Sequence, residues 1–303
     1  MPVKIMMAST PAETDAVLKL RHKVFSEEEG LFQPLPDLRV LDRFDAFSTT
    51  KNLIAISDQE VVGSMRVTLD SDMGIPADSY YDFRRFLPDD ATVMNCSMYC
   101  VTLPFRGARI ALSLLLMASY FGLTRNVTHV VAPINPPIAK LVSRVGFKII
   151  DELQYDEHMG VNFIPVILEV QQLNDFFYSF AENNRLYNFM ESYECIFYNN
   201  GEHVVRAGEI GDAAFVIIEG EVEIREHHSD EVLAVMGQGE VFGELALLTD
   251  DIRSANIIAR SNLRVMSLPK TAFLNHLMHH PEHAMWMLKS VGKRMRNMLN
   301  RPC

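Results

Sequence analysis

Two rhythms of apolar positions alternate through the first 170 residues. Residues 1–9 read as a strand, and Thr10-Pro-Ala-Glu-Thr-Asp supplies helix-start chemistry. Val17, Leu20, Arg21, Val24 and Phe25 then recur at helical spacing. Arg21 falls beside the apolar stripe, an unusual place for a charge. Segment 26–50 is irregular and rich in acids and prolines. A hairpin is predicted from Asn52–Ser57, a turn at Asp58-Gln59-Glu60 and Val61–Leu69. Segment 70–92 reads as a loop or short helix with aromatic residues, a candidate lid. Thr92–Leu103 alternates as a strand, and Pro104-Phe-Arg-Gly-Ala turns into an apolar helix over 108–123. Strand Val127–Pro133, a helix opened by Asn135-Pro-Pro, a strand from Val145 and a last strand Asn162–Val170 complete the pattern. Alternating strands and helices predict an α/β domain over 1–170.

From Gln171 the pattern changes. Helical residues to about Glu191 give way to short strands separated by glycine turns at Gly201, Gly208–Gly211, Gly220 and Gly237–Gly239. That spacing predicts a small β-barrel or sandwich. After Arg264–Leu268 the tail 270–299 reads as helical. The expected division is 1–170 and 171–303, with helix 171–191 bridging the two, and the chain as a whole is α+β. No repeat or low-complexity linker separates the halves.

Composition narrows the class. The chain has 303 residues, 48% hydrophobic and 22% charged, which suits folded domains and excludes a fibre or a disordered chain. A net charge of −11 argues against a nucleic-acid or anionic-membrane partner. Cys96, Cys100, Cys195 and Cys303 lack the spacing of a disulfide framework or a zinc site, so reduced thiols are expected. The most apolar run, Ile110–Leu123, is too short to span a bilayer. The N-terminus has no secretory pattern, and a cytoplasmic location follows as the expectation.

The densest chemistry lies in Phe242-Gly-Glu-Leu-Ala-Leu-Leu-Thr-Asp-Asp-Ile-Arg-Ser-Ala255. Gly243 permits close backbone approach. Leu245, Ala246 and Leu247 read as a helical turn whose N–H groups can face an anion. Arg253 offers a planar fork of donors suited to phosphate oxygens. Glu244 beside a phosphate needs a different partner, which a ribose hydroxyl would supply. The stretch resembles the phosphate-binding cassette of cyclic-nucleotide-binding domains, F-G-E-L-A-L followed by R-x-A. The resemblance implies a β-barrel or jelly roll with flanking helices. It also implies a site made of Phe242, Gly243, Glu244, Leu245, Ala246, Arg253, Ser254 and Ala255. Glu244 would take the ribose 2′-hydroxyl and Arg253 the cyclic phosphate, with cyclic AMP as the expected effector. Ser254 stands where a contact to a guanine amino group would select cyclic GMP.

In the N-terminal half, a strand, the turn Arg106-Gly107 and a helix beginning at Ala108 put amide donors at a positive dipole end. Arg106-Gly107-Ala108-Arg109-Ile110-Ala111 resembles the acyl-CoA-binding turn R-G-x-G-x-G/A of the GNAT acyltransferases, with Arg109 in place of the second glycine. Asn135 followed by Gly146-Phe147 matches the same superfamily, whose frequent tyrosine is replaced by Val142. A nearer resemblance is to the branch holding acyl-homoserine-lactone synthases and long-chain N-acyl amino acid synthases. It is carried by Arg21 with Val24-Phe25, Asp42-Arg-Phe-Asp45 and Gly63-x-x-Arg66. It implies a mixed sheet flanked by helices and a catalytic set of Arg21, Asp42, Asp45 and Arg66. The thioester would lie along Val101, Arg106–Ala111 and Asn135, and its carrier would be coenzyme A or an acyl carrier protein. The strand Asn95-Cys-Ser-Met-Tyr99 lacks the lactone synthases' E-x-S-R-F, so lactone formation is not expected.

Acyl transfer to an amine needs a deprotonated amine, a polarised carbonyl and a departing thiol. Asp42 or Asp45 are the motif-level base candidates, and backbone amides of 95–101 could polarise the carbonyl. Four histidines (His276, His279, His280, His283) are interrupted by Pro281, so no metal is expected. Two functions remain open: an N-acyltransferase sensing cyclic AMP and acylating an amine such as an amino acid, or a nucleotide-responsive binding protein whose first domain has lost catalysis. A helix-turn-helix regulator is not expected, since the roughly 30 residues after the cassette domain read mostly as one helical tail.

Overall fold

The computed structural model describes residues 2–33, 36–144, 146–157, 160–173, 194–229, 231–279, 281, 284–285, 287–289, 291–292 and 296. The chain divides into two compact units, Lys4–Tyr178 and, with the three N-terminal residues, Ser179–Cys303.

In the first unit, strand β1 (Val3–Met7) leads into helix α1 (Pro11–Arg21). Thr10 caps this helix by accepting from the Glu13 amide, while the Glu13 carboxylate accepts from the Thr10 amide. The helix continues without a break into a π-helical stretch, His22–Glu28. Strands β2 (Thr50–Ser57) and β3 (Glu60–Leu69) form the expected hairpin, and Asp58 and Gln59 at its tip both have positive φ. Strand β4 (Val93–Val101), helix α2 (Ala108–Thr124), strand β5 (His129–Ile134) and the short helix α3 (Ala139–Ser143) follow. Strands β6 (Lys148–Ile149), β7 (Gln154–Asp156) and β8 (Val161–Glu169) close the unit. The strand order is β1-β2-β3-β4-β5-β8-β6, with β7 also on β8. Strands β4 and β5 run parallel and the other pairings described here are antiparallel, so the sheet is mixed. Segment 70–92 holds two short 3-10 turns, Pro76–Ser79 and Phe83–Phe86. Ala77 and Phe83 of these turns, and Tyr81 between them, pack against Val131 and Phe163 in a buried cluster. This segment is anchored by its aromatic residues.

The second unit is a β-sandwich. Its strands are β9 (Glu194–Tyr198), β10 (His203–Val205), β11 (Ala213–Glu219), β12 (Val222–Arg225), β13 (Val232–Met236), β14 (Val241–Phe242), β15 (Asn256–Ala259) and β16 (Leu263–Pro269). One layer runs β14-β11-β16-β9 and the other β10-β15-β12-β13, all antiparallel. Their inner faces enclose Phe215, Ile217, Val222, Met236, Phe242, Ile257, Leu263 and Val265. Helix α4 (Glu244–Leu248) lies between β14 and β15, and α5 (Lys270–His279) follows β16. The predicted bridging helix 171–191 lies outside the described residues from 174 onward, as does part of the tail beyond His279. Among the described residues no helix is long and apolar enough to cross a membrane.

Candidate functional site

The first unit's site begins where two parallel strands part. Pairing of β4 with β5 ends at Asn95 with Val131, although β4 runs on to Val101 and β5 to Ile134. The gap opens into a cavity of about 1500 Å³ lined by Cys96–Val101 on one side and Ala132–Asn135 on the other. β4 also carries a bulge. Ser64 pairs with Cys100 and Arg66 with Ser97, so Met98 and Tyr99 stand where β3 offers Met65 alone, and Met98 takes a φ of 49°. Backbone N–H groups in this interrupted stretch are the candidates for polarising a carbonyl.

Arg21, Asp42, Asp45 and Arg66 form one network, of which Asp42 and Arg66 line the cavity. Asp42 is the N-cap of a 3-10 turn, Arg43–Ala46, and Asp45 completes its capping box. That local geometry explains the D-x-F-D spacing: Asp42 accepts from the Phe44 amide at 2.8 Å and Asp45 from the Asp42 amide at 3.0 Å. The remaining acceptor capacity goes to the arginines. Arg21 Nη1 donates to Asp45 Oδ1 at 2.8 Å, and Arg66 Nη1 to Asp42 Oδ1 at 2.7 Å and Asp45 Oδ2 at 3.1 Å. Arg21 is fully buried and Arg66 is 1% exposed. Two positive and two negative groups in contact leave the quartet formally neutral, which offsets part of the cost of burying each charge. Burial works to raise the Asp42 pKa, but the bond and charge of Arg66 outweigh it and hold the carboxyl below its ordinary range. A carboxylate held in this way is a weak base.

Two partners of this network lacked a motif signal. Asn52 Oδ1 accepts from Arg21 Nη2 at 2.7 Å, and Ser97 Oγ from Arg66 Nε at 3.1 Å. Register could have identified Asn52, since it pairs directly with Arg66 across the β2–β3 hairpin.

The same cavity is also lined by Arg106, Gly107 and Ala111. Gly107 caps α2, so the amides of its first turn, from Ala108 through Ile110, lack helical partners and can receive an anion. Arg109 and Asn135 are exposed. The Arg106 side chain is already engaged. Its Nε donates to the Val101 carbonyl at 2.9 Å, and Nη2 lies 2.8 Å from Glu28 and 3.0 Å from Glu29. A phosphate arriving there competes with two carboxylates, which segment 26–50 had not disclosed.

The second unit's cassette is built around Arg253, which is 5% exposed. Its Nη1 donates to the Gly243 carbonyl at 2.6 Å and its Nη2 to the Ala213 carbonyl at 2.7 Å. Asp212, itself exposed, is 3.5 Å away, and the guanidinium lies over the Phe215 ring at 5.8 Å. Burial pulls the Arg253 pKa down, yet an arginine stays charged. Phe215 stacks on Phe242 with ring centres 5.1 Å apart. Gly243 has φ 77°, and a Cβ there would come within 2.9 Å of Arg253 Nη1 and 3.2 Å of the Phe215 ring. No other residue fits without moving the arginine. Glu244 and Ala246 are buried on α4, Leu245 is exposed on it, and Ser254 and Ala255 follow Arg253 toward β15. Gly243 therefore lies against the Arg253 guanidinium, with the stacked Phe215 and Phe242 rings beside it. Among the described residues no cluster of His, Cys, Asp and Glu is arranged to hold a metal.

A mixed sheet with an acid–arginine network in its cleft, followed by a sandwich with a phosphate cassette, defines a synthase domain joined to a nucleotide-binding domain. The chain belongs to the N-acyl amino acid synthase FeeM family, which it matches over residues 16–169. Residues 195–280 match the cyclic nucleotide-binding domain. The chain is similar to cGMP-dependent protein kinase 2 of Homo sapiens, 35% identical over 83 residues, which are 26% of this chain and 11% of that protein. It is 40% identical over 73 residues to the cAMP-dependent protein kinase regulatory subunit of Yarrowia lipolytica, covering 24% of this chain and 20% of the relative. The chain thus spans a small part of the curated relatives it matches. Among solved structures, the N-acyl amino acid synthase FeeM from uncultured soil microbes aligns over 56% of this chain and 93% of its own length, with 17% identity and a TM-score of 0.48.

Proposed function

We propose that the chain is a cyclic-nucleotide-controlled N-acyltransferase of GNAT type. It moves an acyl group from a coenzyme A or acyl-carrier-protein thioester to an amine such as an amino acid, and cyclic AMP is its effector. In this reading residues 1–170 carry the chemistry, residues 171–303 sense the nucleotide, and the location is cytoplasmic. The observation that carries it is one cavity lined both by Arg106, Gly107 and Ala111 and by Asp42 and Arg66 of the acid–arginine network. The phosphate-bearing arm of the thioester would lie along Arg106–Ala111, with Val101 and Asn135 beside it. The acyl carbonyl would lie along the bulged stretch of β4, and the acceptor would enter near Arg66. The apolar walls supplied by Phe25, Leu115 and Ile138 suit an acyl chain.

In the second unit Glu244 would take the ribose 2′-hydroxyl and Arg253 the cyclic phosphate. Relatives named for cyclic GMP and for cyclic AMP both match this region, and Ser254 is the position that could favour guanine. Titration calorimetry with each nucleotide decides between them. The activity is tested by following consumption of octanoyl-coenzyme A and octanoyl-carrier protein with a panel of amines, with and without the nucleotide. A nucleotide-dependent rate with at least one amine supports the reading. Control through binding also requires reciprocity: saturating thioester must change nucleotide affinity by the same factor as nucleotide changes thioester affinity.

A second reading has one observation in its favour. Both oxygens of Asp45 are occupied by arginines, as a purely structural network would have them. A wild-type protein that consumes no thioester with any amine would make this unit a nucleotide-responsive binding module.

A further inference from the structure

Acyl transfer ends with a sulfur leaving, and a proton must reach it. Asp42 and Asp45 are committed to Arg21 and Arg66, and Arg106 is committed to Glu28 and Glu29. Tyr99 lines the same cavity and is not committed. Its hydroxyl makes no hydrogen bond among the described residues. It is not sealed in either, since the sealed and unpartnered side-chain atoms of this unit belong to Arg21, Ser26, Ser57, Ser64 and Asn95. Resting on the acyltransferase reading of this unit, we propose that Tyr99 is a catalytic residue that relays a proton from the attacking nitrogen to the departing sulfur.

Three features converge on this assignment. The bulge in β4 sets Met98 and Tyr99 against Met65 alone, with Met98 at a left-handed φ of 49°, and a bulge of this kind re-aims the side chains it carries. This is the stretch along which the acyl carbonyl would lie. The Tyr99 hydroxyl also feels the charges of Arg106 and Glu29, which line the cavity with it. In a thioester the sulfur joins the carbonyl to the phosphate-bearing arm, so a residue of the bulge within range of Arg106 is suited to reach it. Finally, burial pushes the Tyr99 pKa up to about 12, with Cys100 and Glu29 adding to the rise against Arg106. The hydroxyl therefore keeps its proton near neutral pH. It is a weaker acid than a thiol, whose pKa is about 8.5, so it cannot give that proton up and remain a phenolate. It must recover one in the same step. The amine enters in its neutral form, and its lone pair forms the C–N bond. The C–S bond breaks as the carbonyl re-forms. The Tyr99 proton passes to the sulfur while a proton of the nitrogen passes to the Tyr99 oxygen. The products are an amide and a thiol, and Tyr99 is again a phenol.

The test follows octanoyl-coenzyme A consumption by the full chain, with and without cyclic AMP, against each proteinogenic amino acid and propylamine. It compares wild type with Tyr99→Phe, which keeps the ring and removes only the hydroxyl. Octanoyl-coenzyme A affinity is measured separately by calorimetry. The expected result is a kcat about 100-fold lower in the variant, the effect of losing one positioned proton-transfer group. Octanoyl-coenzyme A affinity should be unchanged, a split that a merely structural tyrosine would not produce. Should Tyr99→Phe fail to fold, Tyr99→Leu takes its place, with the same split expected. An unchanged kcat in the variant overturns the relay and leaves the acyltransferase reading standing. A loss of affinity that accounts for the whole loss of rate also overturns the relay, because Tyr99 would then act by packing alone. If wild type consumes no thioester with any amine, the acyltransferase reading falls and the relay falls with it.

Discussion

Arg66 and Arg253 are both buried arginines at a candidate site, and they are held in different ways. Arg66 is held by the carboxylates of Asp42 and Asp45, so its charge is matched inside the protein. Arg253 donates to two backbone carbonyls, which satisfy its hydrogen bonds but carry no net charge, and its nearest carboxylate lies at 3.5 Å on an exposed side chain. The first arrangement pairs charge with charge at contact; in the second the charge is met only at longer range, by Asp212 and then by Glu209 and Glu244. A buried arginine is thus read by its partners, since carboxylates mark a structural or positioning role and carbonyls mark a site with charge to spare.

The largest expected effect breaks the matched side. Asp45→Ala removes one partner from two buried arginines and should cost about 3–5 kcal/mol of stability, read from urea unfolding. The milder Asp45→Asn keeps the volume and should stop thioester turnover while octanoyl-coenzyme A binding survives. Next comes the other arginine. Arg253→Leu should weaken nucleotide binding by about 2–4 kcal/mol, roughly 30- to 1000-fold by calorimetry, because an anion would be left unpaired in a desolvated pocket. An unchanged affinity would mean that the charge of Arg253 is not used by the phosphate.

Gly243→Ala should have a smaller effect. The added Cβ meets Arg253 Nη1 and the backbone keeps a left-handed φ, so about 1–2 kcal/mol should be lost, with nucleotide affinity falling alongside. A loss of stability without loss of affinity would show that the arginine can be displaced freely. The smallest effect is a pH dependence. The folded-state pKa of Asp42 is depressed, so the stability from its bond to Arg66 is present above the unfolded value of about 3.9 and is lost as pH falls through the lower folded value. Asp42→Asn should flatten the acid limb of a stability–pH curve below about pH 4, measured by thermal unfolding. An identical limb in both proteins would place the acid sensitivity elsewhere.

The two sites also differ in how much of each could be read from the chain. The cassette from Phe242 to Ala255 is contiguous. A left-handed glycine, a short helix and an arginine at fixed separation are local requirements, so residue types at fixed spacing determine them. The strand and helix pattern is local in the same sense, and the Asp42/Asp45 spacing is that of a capping box. What the sequence by itself determined was therefore the two-part architecture, the glycine–arginine pair of the cassette and the residues of the D-x-F-D turn. Tertiary structure decided the rest. It aimed Arg21 and Arg66 at Asp45, joined Asn52 and Ser97 to them, set Glu28 and Glu29 on Arg106, and brought Tyr99 to the cavity of Asp42. These contacts depend on strand register, on the bulge in β4 and on the parting of β4 from β5. A register shift of one residue moves each side chain to the opposite face of its sheet, and that choice is made by the packing of the whole domain.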